Sequence, residues 1–395
     1  MLDALDPNWV NHLLVLLRTV EVGLLSLLHG LGLTGEIHGQ PAWPWASRID
    51  VDVIAIDRGH ARQVAGAVLA LAGIVLALLA SLLLRRRPWG RRLAWGLALL
   101  LLVAAPWPSP ALLLATAYPT SFQESPTGYT AQSIARGAQL YAQNCVACHG
   151  VDAGGEGPQA ASLPMWPPNL NGALLWRRTD GDLLWRVLHG MHDRHGQETM
   201  PGFAERLSAG EVWQILDFLQ ANAAGQSLRR VGEWPQPVAL PDGAVRCDPA
   251  AGPGQTALRT LAGQRLRVVA GDGQPVLEDP RFVTIELTRA QAGQGQCQAA
   301  GEPLWQAFSL IAGVAPEALA GTQFIVDRDG WVRARALPGQ AGWSAADLLC
   351  RSGDDGTAKP AAAPSSAPAE GLDALITTMD RQRVQLVKGG VPHGL

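Results

Sequence analysis

Cys145, Cys148 and His149 stand together in the segment "NCVACHG". Three chemistries use such a spacing: a thiol redox pair, half of a zinc site, and a haem anchored through two thioethers. Thiols one helical turn apart can each bond one vinyl group of a haem, and the adjoining imidazole is then set over the iron. A zinc site needs two further ligands at paired spacing, whereas Cys247, Cys297 and Cys350 lie far downstream. A redox pair is expected after a buried strand, but the Ala- and Gln-rich stretch before Cys145 reads as a helix. The expectation is one covalently bound haem c, with His149 as an axial ligand of its iron.

The second axial ligand must come from a loop that closes over the other haem face. Met165, His189, Met191, His192, His195 and Met200 are the candidates. Met200, in "ETMPGF", is preferred because the residue before a proline is held extended, which fixes the backbone beside the sulfur. Met165 follows the anchor too closely to reach the opposite face. His192 or His195 would give bis-histidine iron and stays open as the competitor. The chain's lysines are Lys359 and Lys388, both outside this segment, so lysine ligation is excluded.

Two amphipathic helices must position these groups, "AQSIARGAQLYAQNC" before the anchor and "SAGEVWQILDFLQAN" after Met200. Ser208 with Glu211 three residues on reads as a capping box that starts the second. From about Ser133 to Ala224 the chain resembles a class I monohaem c-type cytochrome domain. The resemblance implies an all-α fold in which Gly137 lets the last helix approach and Tyr141 packs beside it. It implies that the carbonyl of Pro158, in "GGEGP", accepts a hydrogen bond from the second nitrogen of His149, a contact that orients a ligand and raises its basicity. It places "PPNL", with Pro168 and Leu170, along the haem edge, and turns Trp213, Leu216 and Phe218 toward the first helix and the haem. The implied function is single-electron transfer without catalysis in the chain, because Met200 fills the iron position that a substrate would need. Methionine ligation raises the potential relative to bis-histidine iron.

The composition places part of the chain in lipid. Of 395 residues 48% are apolar and 16% charged, against about 25% charged in an ordinary soluble domain. The uncharged run Val64 to Leu84 is long enough to cross the hydrocarbon. A second helix is expected from Pro88 to about Ala105, ended by Pro106, Pro108 and Pro110. The basic loop Arg85 to Arg92 between them stays in the cytoplasm by the positive-inside rule. Everything after about Tyr118 then lies on the outer face, the periplasm of a Gram-negative cell. Two crossings suffice for this topology, and Trp9 to Leu33 is favoured as a third helix whose polar residues turn toward protein, so two or three spans are expected.

The organisation read from these features is multi-domain: transmembrane helices (1–117), a linker (118–130), the cytochrome domain (131–225) and an α/β domain (235–350). A disordered Ala/Pro/Ser-rich linker (351–371) and a tail (372–395) that could be helical through Val387 complete it. "RLRVVAG", "RFVTIELTR" and "TQFIVDRDGWVRARAL" read as strands, with "DRDG" as a turn, and "SAADLLC" as a short helix. This region is similar to a degenerate thioredoxin-like domain, without its Cys-x-x-Cys, which implies docking rather than thiol chemistry. Which of Cys247, Cys297 and Cys350 pair stays open.

The helix pair leading into the haem segment is similar to cytochrome-fused members of the copper-resistance D family. The expected partners are redox proteins at the membrane surface. A copper-handling partner, or a place as a cytochrome subunit in a larger membrane oxidoreductase, are the alternatives. A net charge of -3 gives no reason to expect nucleic acid.

Overall fold

The computed structural model describes residues 9–395 apart from 173, 249–253, 291, 292, 294, 341, 342, 344–346, 348, 350–370, 385, 386, 389, 390 and 393–395. The expected "SAADLLC" helix and the linker 351–371 therefore fall largely outside the described residues, as does Cys350. The chain divides into two compact units, one built on residues up to Pro119 and the other on Thr120–Lys388.

The first unit contains α1 (Trp9–Gly30), α2 (Arg58–Leu83) and α3 (Pro88–Ala104). α1 and α2 are long and apolar enough to cross a membrane. Asp57 caps α2 by accepting the amides of Gly59 and His60. Proline at its first turn starts α3, and the helix stops before Pro106 as the sequence predicts. Consecutive and joined by a short turn, α2 and α3 pack closely because α2 offers glycine at the contacts. A methyl on Gly73 would lie 2.8 Å from Leu101, and one on Gly66 equally close to Pro106. Their outer faces carry Leu69, Leu76, Leu83, Leu93 and Val103, all more than half exposed. On α1, Arg18 and Glu21 are buried, and Glu21 accepts the Ile49 amide at 2.9 Å. Arg18 and Glu21 thus face protein as expected, whereas His12 on the same helix is exposed.

The second unit joins a helical part to a sheet-rich part. The helices are α4 (Ala131–Asn144), α5 (Asp180–His189) and α6 (Ala209–Val231), with the Ser208–Glu211 capping box formed as predicted. A hairpin of β1 (Met191–His192) and β2 (Glu198–Met200) lies between α5 and α6. The sheet that follows has eight described strands: β3 (Val238–Ala239), β4 (Ala244–Cys247), β5 (Gln255–Ala257), β6 (Leu266–Ala270), β7 (Val283–Thr288), β8 (Cys297–Ala300), β9 (Gln323–Val326) and β10 (Trp331–Ala336). Their order is β3-β10-β9-β6-β7-β8-β4-β5. β6, β7 and β8 run parallel, and α7 (Glu302–Ala312) connects this trio to the antiparallel β9–β10 hairpin. Cys247 and Cys297 stand opposite each other on β4 and β8 and form a disulfide.

Three expectations change here. Residues 118–130 are not a loose linker, since Thr120, Ser121, Phe122 and Gln123 are buried. The Thr120 hydroxyl donates to the Gly181 carbonyl at 2.6 Å, Ser121 donates to Asp182, and Thr127 donates to Asp217 at 2.6 Å. Short polar side chains that read as solvent-loving are here the donors that satisfy buried carboxylates.

The helical and sheet-rich parts are also not separated near residue 225. α6 continues to Val231 because Ala221, Ala224 and Leu228 belong to the same apolar core as Phe308 and Ile311 of α7 and the inner face of the sheet. Residue 225, the expected end of the cytochrome domain, is a glycine within α6 at a close approach of the two parts: a methyl there would lie 1.9 Å from the Leu310 carbonyl.

The tail helix, α8 (Leu372–Arg381), stops before Val387. The buried guanidinium of Arg333 takes the Gln382 carbonyl at 2.7 Å, a tertiary bond that replaces the next helical turn. Arg281 links α8 to the sheet, donating to Asp373 at 2.6 Å and to Asp279 at 2.6 Å. The Asp279 carboxyl is pushed down to about 2, chiefly by its hydrogen bond from Arg281. A depressed folded-state pKa contributes stability above the ordinary carboxylate range and loses it as pH falls through the folded value. The Arg281 amide, which donates to Asp279 at 2.9 Å, should therefore keep its hydrogen-exchange protection from pH 7 to about 4 and lose it on approach to pH 2. An Asp279→Asn chain should show a flatter profile.

Candidate haem site

The N-cap Thr130 starts α4 by accepting the Ser133 amide. α4 ends at Cys145, and the chain makes one further helical turn, Val146–His149, that carries Cys148 and His149. The loop after it folds back to satisfy that turn's carbonyls, with Gly155 donating to His149 at 2.8 Å, Gly157 to Cys148 at 3.1 Å and Gln159 to Ala147 at 2.8 Å. Gly157 is required for this return, since a methyl on it would lie 2.5 Å from the Ala147 carbonyl.

Cys145 and Cys148 are free thiols and half-buried. Burial pushes the Cys145 thiol up to about 12, with the neighbouring Cys148 adding to the shift. Burial lowers the basicity of His149, and the Pro168 carbonyl acts against it. Its Nδ1 is buried without a hydrogen bond of ordinary geometry. The carbonyl that faces His149 is therefore that of Pro168, not of Pro158. Pro158 is exposed, because the loop that carries it is occupied in capping the short helix.

Beneath the anchor lies one apolar cluster built on Tyr141, Leu184, Val212, Trp213, Leu216 and Phe218, with Cys145, Leu170 and Met200 packed at its margin. Tyr141 donates its hydroxyl to the Gly150 carbonyl at 2.7 Å and lies 5.2 Å from the Phe218 ring. Gly137 faces the Gln214 carbonyl of α6, where a methyl would come within 1.8 Å.

Met200 ends β2, opposite Met191, and Thr199 braces the hairpin by donating to the Met191 carbonyl at 3.1 Å. Of the six candidate ligands, Met200 is the one packed against the cluster. The Met191 sulfur faces Arg186 at 3.8 Å, and His189 stacks on Trp185 with ring centroids 3.7 Å apart. Met165, His192 and His195 are exposed.

Two supports escaped sequence reasoning. Asn222 of α6 donates to the Asp152 carbonyl at 3.0 Å and to Asn171 at 2.9 Å, tying the loop after the anchor to the last helix. Asp217, buried one turn earlier, holds Thr127 and Ser133. Both stand inside an otherwise apolar helical run, and that was the signal available.

The donors fit a covalently held haem: two free thiols one turn apart, an imidazole with an orphaned buried nitrogen, and a methionine on the same apolar cluster as Cys145.

Residues 132–219 match the family model of cytochrome c oxidase, cbb3-type, subunit III. Among solved structures, a chain of the Kuenenia stuttgartiensis reducing HAO-like protein complex is 22% identical, with a TM-score of 0.21, over 27% of this chain. This chain spans about half, 51%, of that one's length. No curated protein matches. The family match and the donor set together make residues 132–219 a c-type cytochrome domain, a domain type that carries haem c.

Proposed function

We propose that the chain is a membrane-tethered electron carrier that passes single electrons through one haem c on the outer face of the membrane. The observation that carries this reading is the packing of Cys145, on the Cys-x-x-Cys-His turn, and Met200 against a single apolar cluster within the matched domain. Cys145 and Cys148 would hold the haem covalently, and His149 and Met200 would bind its iron. When bound, the haem supplies an iron that takes up and gives back one electron.

The chain's own residues prepare that exchange. Trp213, Leu216 and Phe218 exclude water, which limits the solvent rearrangement that accompanies a change of charge. Tyr141 and Asn222 hold the loop after the anchor in place from two sides, and the α4–α6 contact at Gly137 fixes the floor. Proline after Met200 and the hairpin opposite it present the thioether without needing α5 to move. The apolar, outward-facing surfaces of α2 and α3 support the tether, and the arginines between them support an outer haem domain.

A second reading, a cytochrome subunit of a larger membrane oxidoreductase, is favoured by the family matched, which is itself an oxidase subunit. Co-purification from mild detergent with a catalytic partner would support it.

Potentiometric titration of the purified chain tests the electron-carrier reading. One single-electron wave is expected, and Met200→Ala should lower its midpoint, since the sulfur ligand raises the potential. A chain without a redox-active chromophore would end the proposal. An unchanged midpoint in Met200→Ala would remove Met200 from the iron.

A further inference from the structure

The turn between α2 and α3 gathers positive charge that its own segment leaves unmatched. Arg85, Arg86, Arg87, Arg91 and Arg92 fall within eight residues, and all five are exposed. The sequence has no aspartate or glutamate between Asp57 and Glu124. Among the described residues none of these five arginines makes an ion pair, whereas Arg281, Arg289 and Arg333 of the second unit each hold a carboxylate.

The turn keeps its shape without these side chains. Arg87 donates its amide to the Leu84 carbonyl at 2.8 Å, and Arg91 donates its amide to the Arg87 carbonyl at 3.1 Å. Gly90 lets Leu84 fold over the start of α3, since a methyl there would lie 3.2 Å from the Leu84 side chain. Arg92 rests over Trp89, 5.9 Å from the ring centre, a contact that leaves its N–H groups open to an acceptor.

A bare apolar surface adjoins the charge: Leu83 is 85% exposed, Trp89 81% and Leu93 76%. Trp89, Arg92 and Leu93 are three and four residues apart on α3, so they share one face of it. A ligand for this surface needs an anion and hydrocarbon in one molecule. Guanidinium groups pair with phosphate oxygens two at a time, and an indole settles where hydrocarbon meets water. A phosphodiester that carries acyl chains meets both demands.

We propose that this turn is a binding site for an anionic phospholipid, whose phosphate the arginines hold and whose acyl chains lie along Leu83, Trp89 and Leu93. The site rests on the membrane-tethered reading above. It goes beyond the effect of the charge on topology, because an anionic lipid occupies the turn in preference to a neutral one. Each arginine beside an anionic headgroup layer contributes about fivefold in affinity, so loss of two is measurable.

The test titrates the full-length, haem-loaded chain, in mild neutral detergent, with fluorescent phosphatidylglycerol or phosphatidylcholine. Phosphatidylglycerol should bind at least about tenfold more tightly. Arg86→Gln with Arg91→Gln should weaken its binding about tenfold or more and leave phosphatidylcholine binding as it was. Arg229→Gln with Arg230→Gln removes the same charge from the exposed end of α6 and should change neither. Inorganic phosphate should displace the lipid no more than sodium chloride of equal ionic strength does, because it lacks the chains. Equal affinity for the two lipids, equal losses in the two variants, an unchanged Arg86/Arg91 variant or specific displacement by inorganic phosphate each overturns the proposal. A chain that does not enter phosphatidylcholine vesicles overturns the tether and the site together, whereas one that enters them without preferring phosphatidylglycerol overturns the site alone.

Discussion

A chain carrying Cys145→Ala and Cys148→Ala should show complete loss of haem staining after denaturing electrophoresis. The two sulfurs are the free thiols of the described chain, and they are one turn apart on the segment that leads directly into His149. Each single variant should keep a denaturation-resistant haem through one thioether, at lower yield. The double variant should also lose protection well beyond the haem domain. Without the group that completes its core, the cluster around Trp213 and Phe218 is left with unfilled contacts, and α6 carries that loss into the core shared with α7 and the sheet. Large-to-small losses of this kind cost several kcal/mol when the surroundings cannot collapse, about 3–5 for a single aromatic side chain. Retained staining in the double variant would mean that these cysteines are not the attachment points.

Gly137→Ala should destabilise the second unit by about 3 kcal/mol or more and sharply reduce haem incorporation. Intrinsic helix propensity alone favours alanine here by about 1 kcal/mol, so the sign of the effect is itself a test of the geometry. The opposing contact is a backbone carbonyl, that of Gln214, only 1.8 Å from where the methyl would stand. A backbone neighbour cannot rotate aside, so α4 and α6 must separate, and Cys145 is displaced with the end of α4. Gly210→Ala, in the first turn of α6, serves as the control because the nearest atom is the Ser208 hydroxyl at 4.0 Å. It should be neutral or mildly stabilising, by less than about 1 kcal/mol. Equal and small effects in both variants, read from thermal unfolding monitored at the haem absorbance, would show that the helices do not cross at Gly137.

Much of the candidate site was legible because its information is local. The Cys-x-x-Cys-His spacing, the capping box at Ser208 and Glu211 and the proline after Met200 each act within a few residues, so they can be read without a fold, and the capping box forms as expected. The α3 boundaries and the end of α2 were legible for the same reason, from prolines and an uncharged run, whereas α2 begins earlier than that run, at Arg58, because Asp57 caps it. What misled was polarity read as exposure. Thr120, Ser121 and Thr127 look like linker residues, yet each donates a hydrogen bond to a group about 60 to 90 positions away, and no local pattern announces such a partner. The domain boundary expected at residue 225 likewise failed, because the Leu310 carbonyl of α7 packs against Gly225 within α6 and joins the two parts.

The sequence by itself determined which groups are spaced to hold a haem, where the apolar helices lie and the strands Leu266–Ala270, Val283–Thr288, Gln323–Val326 and Trp331–Ala336, because ligand spacing, hydropathy and period are properties of neighbouring residues. The short strands β3, β4, β5 and β8 carry too little period to be read. The tertiary structure alone decided which carbonyl faces His149, which of six candidates packs against the cluster near the anchor, and that the haem-bearing helices share one core with the sheet. Those outcomes depend on close approaches between segments distant in the chain, at Gly137, Gly157 and Gly225. A glycine in the sequence records only that a side chain is missing, whereas the backbone that comes to fill the space is known from the fold.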